Sequence, residues 1–391
     1  MILRIPEYYE EFSCIASRCK DSCCAGWEID IDEDSYTYYK SIEGEFGNYL
    51  RQNMYIAEDG GARFRLKGPK RCAMLNERNL CDLYTELGEE ALCEVCTEYP
   101  RFSIFYGEVE QKGLSLSCEE VGRILFERKK AVCLVDRKMQ ACYADGEPDL
   151  EEDENPVYVS FVEWVQQEIF EILQDRNFTI PERMRLFLAW CIHIQEITNR
   201  YLAKEDDGIL TACRDEITSC GVTTWLRQNS KEDHTPERAF FYEDFLERFR
   251  VFSDMEELDE EWIHTKQEFQ TLFDAEHYEK LVWSYLHSAD YSAIWYEQLL
   301  VYFVFRYFMN AAYDYDVIAY AKVVLISTLV LRDMDTVRYH RNGGHFSLFD
   351  RIDTARIYSK EVEHSEENAD DLKEMCMMEE IASVEALYRQ I

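Results

Sequence analysis

From Phe161 onward the apolar residues fall at the three-to-four spacing of a single helix face, as in Phe161, Val162, Val165, Ile169 and Ile172. Pro181 opens a second helix. Thr235-Pro236-Glu237 reads as a cap, a first-turn proline and an acid that complements the helix dipole, leading into Phe240, Phe241, Phe245 and Phe249. The same periodicity continues over 256–273, 277–288, 294–312, 316–333 and 369–389, with few alternating runs between them. The most apolar stretches, 299–305 and 317–331, are interrupted by or end at Arg306, Lys322 and Arg332, too short for a bilayer, and read as buried helices.

The first third has a weaker pattern. Short helices are expected near 32–42, 44–54 and 118–130, and Arg63-Phe64-Arg65-Leu66 alternates as a strand beside Cys72 would. An acidic, proline-bracketed run at 145–156 has nothing to bury and reads as a linker or exposed loop. The expected organisation is therefore a cysteine-rich metal domain over 1–144, the linker over 145–156 and a helical domain over 157–391. The fold class is mainly α: an irregular metal-bound amino-terminal domain followed by an all-helical carboxy-terminal one.

Charge narrows the partners. Among 391 residues, 42 Lys and Arg face 78 Asp and Glu, a formal charge of -36. Such a field repels phosphate backbones and anionic lipid, which argues against nucleic acid and membrane, and it attracts lysine-bearing surfaces. The stretch Met1 to Glu10 carries no export signal, so a cytoplasmic location with reduced thiols is expected.

Nine of the fifteen cysteines lie between Cys14 and Cys118. Cys14, Cys19, Cys23 and Cys24 share one loop, and Cys72, Cys81, the Cys93-x2-Cys96 turn and Cys118 follow. Polar Lys20, Asp21, Glu94 and Glu98 flank them, which does not suit a dry core, and no histidine is interspersed before His193. All-sulfur coordination of an iron–sulfur cluster or of zinc is the expected chemistry. Adjacent Cys23 and Cys24 cannot easily aim at one ion, so one ligates while its neighbour packs or serves a second centre. Cys191, Cys213, Cys220 and Cys376 lie singly in helical segments and are expected in the core, as is His193.

The order Cys-x4-Cys-x3-Cys-Cys-x-Gly-Trp, Cys-x2-Leu, Leu-Cys-x2-Tyr, Leu-Gly-Glu-Glu, Leu-Cys-x2-Cys-x2-Tyr-Pro-Arg and Leu-Ser-Leu-Ser-Cys resembles the FliB family of flagellin lysine-N-methylases, within the broader YkgJ-type zinc- or iron-chelating cysteine proteins. The resemblance spans residues 5 to about 125, with an echo at 358–368. It implies methyl transfer from S-adenosylmethionine to lysines of flagellin or another lysine-bearing protein, with a [4Fe–4S] cluster. Cys19-x3-Cys23 is followed at once by Cys24, unlike the Cys-x3-Cys-x2-Cys loop of radical enzymes that use S-adenosylmethionine, so a polar transfer is expected. The glycine-rich turn of doubly wound methyltransferases is missing too, since neither Gly60-Gly61 nor Gly343-Gly344 has the required spacing.

Lysine methylation needs a neutral amine, alignment and exclusion of water, which aromatic rings and carboxylates can provide. Tyr358, Glu361 and His364 are the catalytic candidates, with 358, 361 and 365 on one face if that segment is helical, against the plainer reading of a solvated polar face. Arg338 to His345 is a second candidate, against a turn with surface charges. Two competing functions stand beside the enzyme: a metal-stabilised adaptor that docks a basic protein without chemistry, and an iron or zinc storage or redox-sensing protein.

Overall fold

The computed structural model describes residues 1–68, 70–139, 155–229, 240–253, 255–258, 260–378 and 383–391. Most of the expected linker, and the Thr235-Pro236-Glu237 cap, lie outside the described residues.

The amino-terminal third runs through β1 (Ile2–Pro6), β2 (Asp30–Ile31), α1 (Glu33–Ser41), α2 (Gly44–Gln52), β3 (Met54–Ile56), β4 (Ala62–Phe64), β5 (Leu66–Lys67), β6 (Arg71–Cys72), α3 (Asp82–Leu87), α4 (Glu94–Glu98), β7 (Arg101–Tyr106), β8 (Val109–Leu114), α5 (Glu119–Glu127) and β9 (Leu134–Lys138). The three short helices form where expected. The alternating run around Arg63 becomes β4, which pairs with β2 and β3, and β5, which pairs with β6. A four-stranded sheet of order β7-β8-β1-β9 was not expected. In it β1 runs parallel to β8, with Ile2 opposite Val109, and antiparallel to β9, with Ile2 opposite Lys138. Strand β1 is far in sequence from both of its partners, and β9 is largely exposed, so no local hydrophobic alternation announces their pairing.

The rest is helical: α6 (Pro156–Gln174), α7 (Ile180–Lys204), α8 (Gly208–Cys220), α9 (Val222–Asn229), α10 (Tyr242–Ser253), α11 (Glu260–Leu272), α12 (Tyr278–Leu286), α13 (Ala293–Tyr307), α14 (Ala311–Asp314), α15 (Val317–Arg341), α16 (Leu348–Val362), α17 (Glu366–Met377) and α18 (Val384–Gln390). The starts are set by side chains. Asn155 accepts the amides of Val157 and Tyr158 ahead of Pro156, Thr179 and Glu182 close a capping box ahead of Pro181, and Ser347 and Asp350 close another.

Three boundaries differ from the periodicity. The segment 294–312 breaks after Tyr307 into a tight turn and the short α14. The segment 369–389 is two helices, the second capped by Ser383. The segment 316–333 continues to Arg341, because the charged residues that look like an exposed end are paired inside. Asp333 accepts Arg248 Nη2 at 2.7 Å and Tyr278 Oη at 2.8 Å. Asp335 pairs with Arg351 and accepts Tyr296 Oη at 2.7 Å and Thr354 Oγ1 at 2.8 Å. Burial raises the Asp335 carboxyl, and these partners pull against that rise.

Two hydrophobic cores result, and they do not follow a border near residue 145. The large one joins Tyr106, Leu114, Val121 and Phe126 to the helices, so the main sheet and α5 belong to the helical body. The small one gathers Ile29, Tyr39, Leu50, Phe64, Met74 and Leu83 around Cys72 and Cys93. Helix α16 is buried from Arg351 through Val362 and lies between α15 and α5. It meets α5 closely because Gly122 has no side chain: a Cβ there would sit 3.0 Å from Ile352 Cγ2. Of the expected core cysteines, Cys191, Cys213 and Cys376 are buried, whereas Cys220 is exposed in the last turn of α8. His193 is partly buried, with its ring 4.3 Å from that of Trp225. No described helix is long and apolar enough to cross a membrane.

Candidate functional site

The cysteine loop docks on α16 through charge. Asp21 Oδ2 accepts Lys360 Nζ at 2.7 Å and Arg356 Nη1 at 2.6 Å. Lys20 reaches the other way, its Nζ 2.9 Å from Asp353 Oδ2 and its amide donating to Glu119 Oε2 at 2.6 Å. Burial opposes the Asp353 charge, but Lys20, Arg356 and Arg338 outweigh it and bring that carboxyl down to about 2. The loop is thus clamped to α5 and α16 at once.

Beside the clamp is an aromatic cluster. Trp27 stacks on His364 with centroids 5.0 Å apart, and Tyr99 touches both rings at 5.8 and 5.7 Å. Lys360 Nζ lies 5.6 Å from the Trp27 ring centre, a cation–π contact. His364 Nε2 is 2.6 Å from Ser117 Oγ and 3.2 Å from Ser115 Oγ, and Ser117 Oγ is 3.1 Å from Tyr99 Oη. Burial, with Arg306 and Lys360 nearby, pushes the His364 imidazole down to about 3, so it is neutral near pH 7. Behind it Glu363 receives Tyr302 Oη at 2.7 Å, Tyr307 Oη at 3.2 Å and Arg306 Nε at 3.2 Å.

The thiols lie partly at this seam and partly in the small core. Cys81, Cys93 and Cys118 each immediately precede a helix, α3, α4 and α5 respectively. Burial raises Cys72 to about 12 and Cys81 and Cys118 to about 11, and backbone amides at those turns partly offset the rise. Within two neighbouring pairs the shifts oppose each other through the thiol–thiol contact: Cys24 is lowered and Cys23 raised, and Cys93 is lowered and Cys96 raised. The described cysteines are free of disulfides, and among the described residues no three His, Cys, Asp or Glu side chains are placed to hold a metal ion directly. The donor set suits iron–sulfur chemistry, being sulfur throughout, with backbone amides at 3.4 Å from Cys14 Sγ and Cys72 Sγ of the kind that stabilise bound thiolate.

A family model described as the FliB lysine N-methylase C-terminal domain matches residues 166–389. The chain belongs to the FliB lysine N-methylase family. Over 138 residues, 34% of this chain and 82% of the relative, it is 29% identical to the flagellar biosynthetic protein FliU of Salmonella muenchen. Over 137 residues it is 28% identical to a lysine-N-methylase of Salmonella typhimurium, and the match spans about a third of each chain, 34% in both. The lysine-N-methylase of Salmonella choleraesuis matches equally. No solved structure matches.

In this FliB-family chain the three catalytic candidates are not brought together. Tyr358 is fully buried and donates to Ser327 Oγ at 2.7 Å on α15. Glu361, also buried, accepts the Leu258 amide at 3.0 Å. Only His364 faces the cysteine-rich region. The helix ends at Val362, and Ser365 instead caps α17, so 358, 361 and 365 do not share a helix face. The segment is not a solvated polar face either, since α16 is enclosed. Arg338 to His345 is the end of α15 and a turn at Gly343 and Gly344, with Arg338 Nη1 2.9 Å from Asp353 Oδ2. Trp27, Tyr99, Ser115 and Ser117 lie inside the cysteine motifs, yet thiol spacing does not single them out as site residues; Arg306 and Glu363 carry no sequence signal.

Proposed function

We propose that this FliB-family protein transfers a methyl group from S-adenosylmethionine to lysine side chains of flagellin in the cytoplasm, and that its cysteines hold a [4Fe–4S] cluster. The family match over 166–389 carries the reaction class, and the flagellar name of one relative supports the acceptor. The all-sulfur donor set supports the cofactor.

In the transfer the neutral Nζ of the acceptor lysine attacks the sulfonium methyl in line; the new N–C bond forms as the C–S bond breaks, and S-adenosylhomocysteine leaves. The methylated ammonium then gives up one proton to water. This chain's residues supply the surroundings. Its charge of -36 draws in a lysine-bearing surface, and ring faces with a carboxylate suit a lysine head group, as Trp27 and Asp21 already hold Lys360. His364, neutral and hydrogen-bonded to Ser115 and Ser117, holds the aromatic cluster in place against Trp27 and Tyr99. The cluster, when bound, supplies the cross-link that ties the cysteine loops together and a local field beside Tyr99.

The test is direct. Anaerobically purified protein, incubated with S-adenosylmethionine and flagellin, should add methyl groups to flagellin lysines by peptide mass spectrometry. No methylated lysine under those conditions, with the donor bound by calorimetry or not, removes this reading.

A further inference from the structure

The nine cysteines separate into two groups in space. Cys24, Cys81 and Cys96 pack against the small core that contains Cys72 and Cys93, and the Cys72 amide donates to the Cys24 carbonyl at 2.8 Å. Cys118 instead packs on the large core at the start of α5, where Lys20 of the cysteine loop is tied to Glu119. Cys19 comes to that point, since its neighbour Lys20 is the residue bonded to Glu119, and Cys14 and Cys23 on the same loop lie within electrostatic reach of Cys118. Cys24 lies within electrostatic reach of Cys72, Cys81 and Cys96, with which it shares the small core. The sulfurs of Cys23 and Cys24 are 4.0 Å apart, and there the two groups meet.

We propose that the chain holds two thiolate centres: Cys14, Cys19, Cys23 and Cys118 form one at the seam with the helical body, and Cys24, Cys72, Cys81, Cys93 and Cys96 furnish the other within the small core. The inference rests on the metal-binding reading above and deepens it. Four thiolates are the complement of one iron–sulfur cluster or one zinc, and the first group has four. The second has five, so one of its thiols is spare. Two neighbouring residues can serve two centres where they cannot both serve one, which gives the Cys23-Cys24 dipeptide a purpose. Cys118 of the first centre follows Ser117, which bonds both His364 and Tyr99, so this centre adjoins the aromatic cluster. The second ties β6, α3 and α4 together.

The experiment uses the full chain reconstituted anaerobically with iron and sulfide. Iron, sulfide and zinc per chain are measured together with the electron paramagnetic resonance of the reduced protein, for the unsubstituted chain and for two double variants, C14S/C118S and C72S/C81S. Two centres predict about eight iron and eight sulfide, and a loss of about half in each variant, with the two residual spectra adding to the original. Two zinc per chain without sulfide, halved in each variant, would keep the two sites and overturn the iron–sulfur reading alone. One centre per chain in the unsubstituted protein would overturn the inference and leave the function untouched. To separate misfolding from loss of a site, circular dichroism of each variant is compared with the unsubstituted chain. A folded variant of either pair that loses all its metal also overturns the inference.

Discussion

Trp27 and His364 stack almost in parallel, 13° between planes, although they stand near opposite ends of the chain; the contact joins the cysteine-rich third of the protein to the domain that defines its family.

The buried, neutral His364 makes stability depend on pH. Its folded value of about 3 lies below the ordinary 6.5, so below 6.5 the unfolded chain takes up a proton that the folded one refuses. The contribution is complete above 6.5 and is lost as pH falls from 6.5 toward 3, by about 1.4 kcal/mol per pH unit at most. Urea unfolding at pH 7.5 and 5.5 should show the drop, and His364→Asn should flatten it; an identical slope in the variant would rule the assignment out.

Gly26 sits at φ +110°, and a Cβ there would meet Lys360 Cε at 2.8 Å. Gly26→Ala should cost about 1–3 kcal/mol through backbone strain and displacement of Lys360. Thermal unfolding measures this; Gly60→Ala, also at positive φ but with open space around it, should cost less.

Removing the Asp21 carboxylate leaves Arg356 and Lys360 without a shared partner in a buried setting. Asp21→Ala should destabilise by about 2–4 kcal/mol, near the range for breaking a buried pair. The exposed Asp59→Ala should lose far less stability than that. Chemical denaturation distinguishes the two, and equal losses would contradict the clamp.

Metal removal should act locally. The small core is held by few apolar side chains and by loops that the cysteines link, whereas β1, β7, β8 and α5 share the large core. Chelation or air oxidation should therefore expose cleavage sites between about residues 14 and 98 under limited proteolysis, while the helical circular dichroism persists. Unchanged resistance of that segment would show that the metal is not a folding element.

Salt should weaken capture of the acceptor. Near one molar the screening length falls to about 3 Å, so the apparent KM for flagellin should rise while kcat holds. Omitting a strong reductant should leave the rate of an intact protein unchanged, as a polar transfer requires.

Along the chain, helix-period runs are enough to place α6, α7, α10 to α13 and α15, because amphipathic spacing acts within a few residues. Cysteine spacing likewise marked the nine thiols, and the motif order pointed to the FliB family. Only tertiary structure decided the rest. The sheet pairs Ile2 with both Val109 and Lys138, contacts that no local pattern encodes. The length of α15 depends on Arg248 and Arg351, distant residues that neutralise Asp333 and Asp335. Tyr358 and Glu361 looked like a polar face because spacing reports which residues share a side of a helix, and not what covers that side. His364 gained its place from Trp27, Tyr99 and Ser117, brought to it by a loop that Asp21 clamps through charge, and charge pairing across hundreds of residues leaves no periodic trace in the sequence.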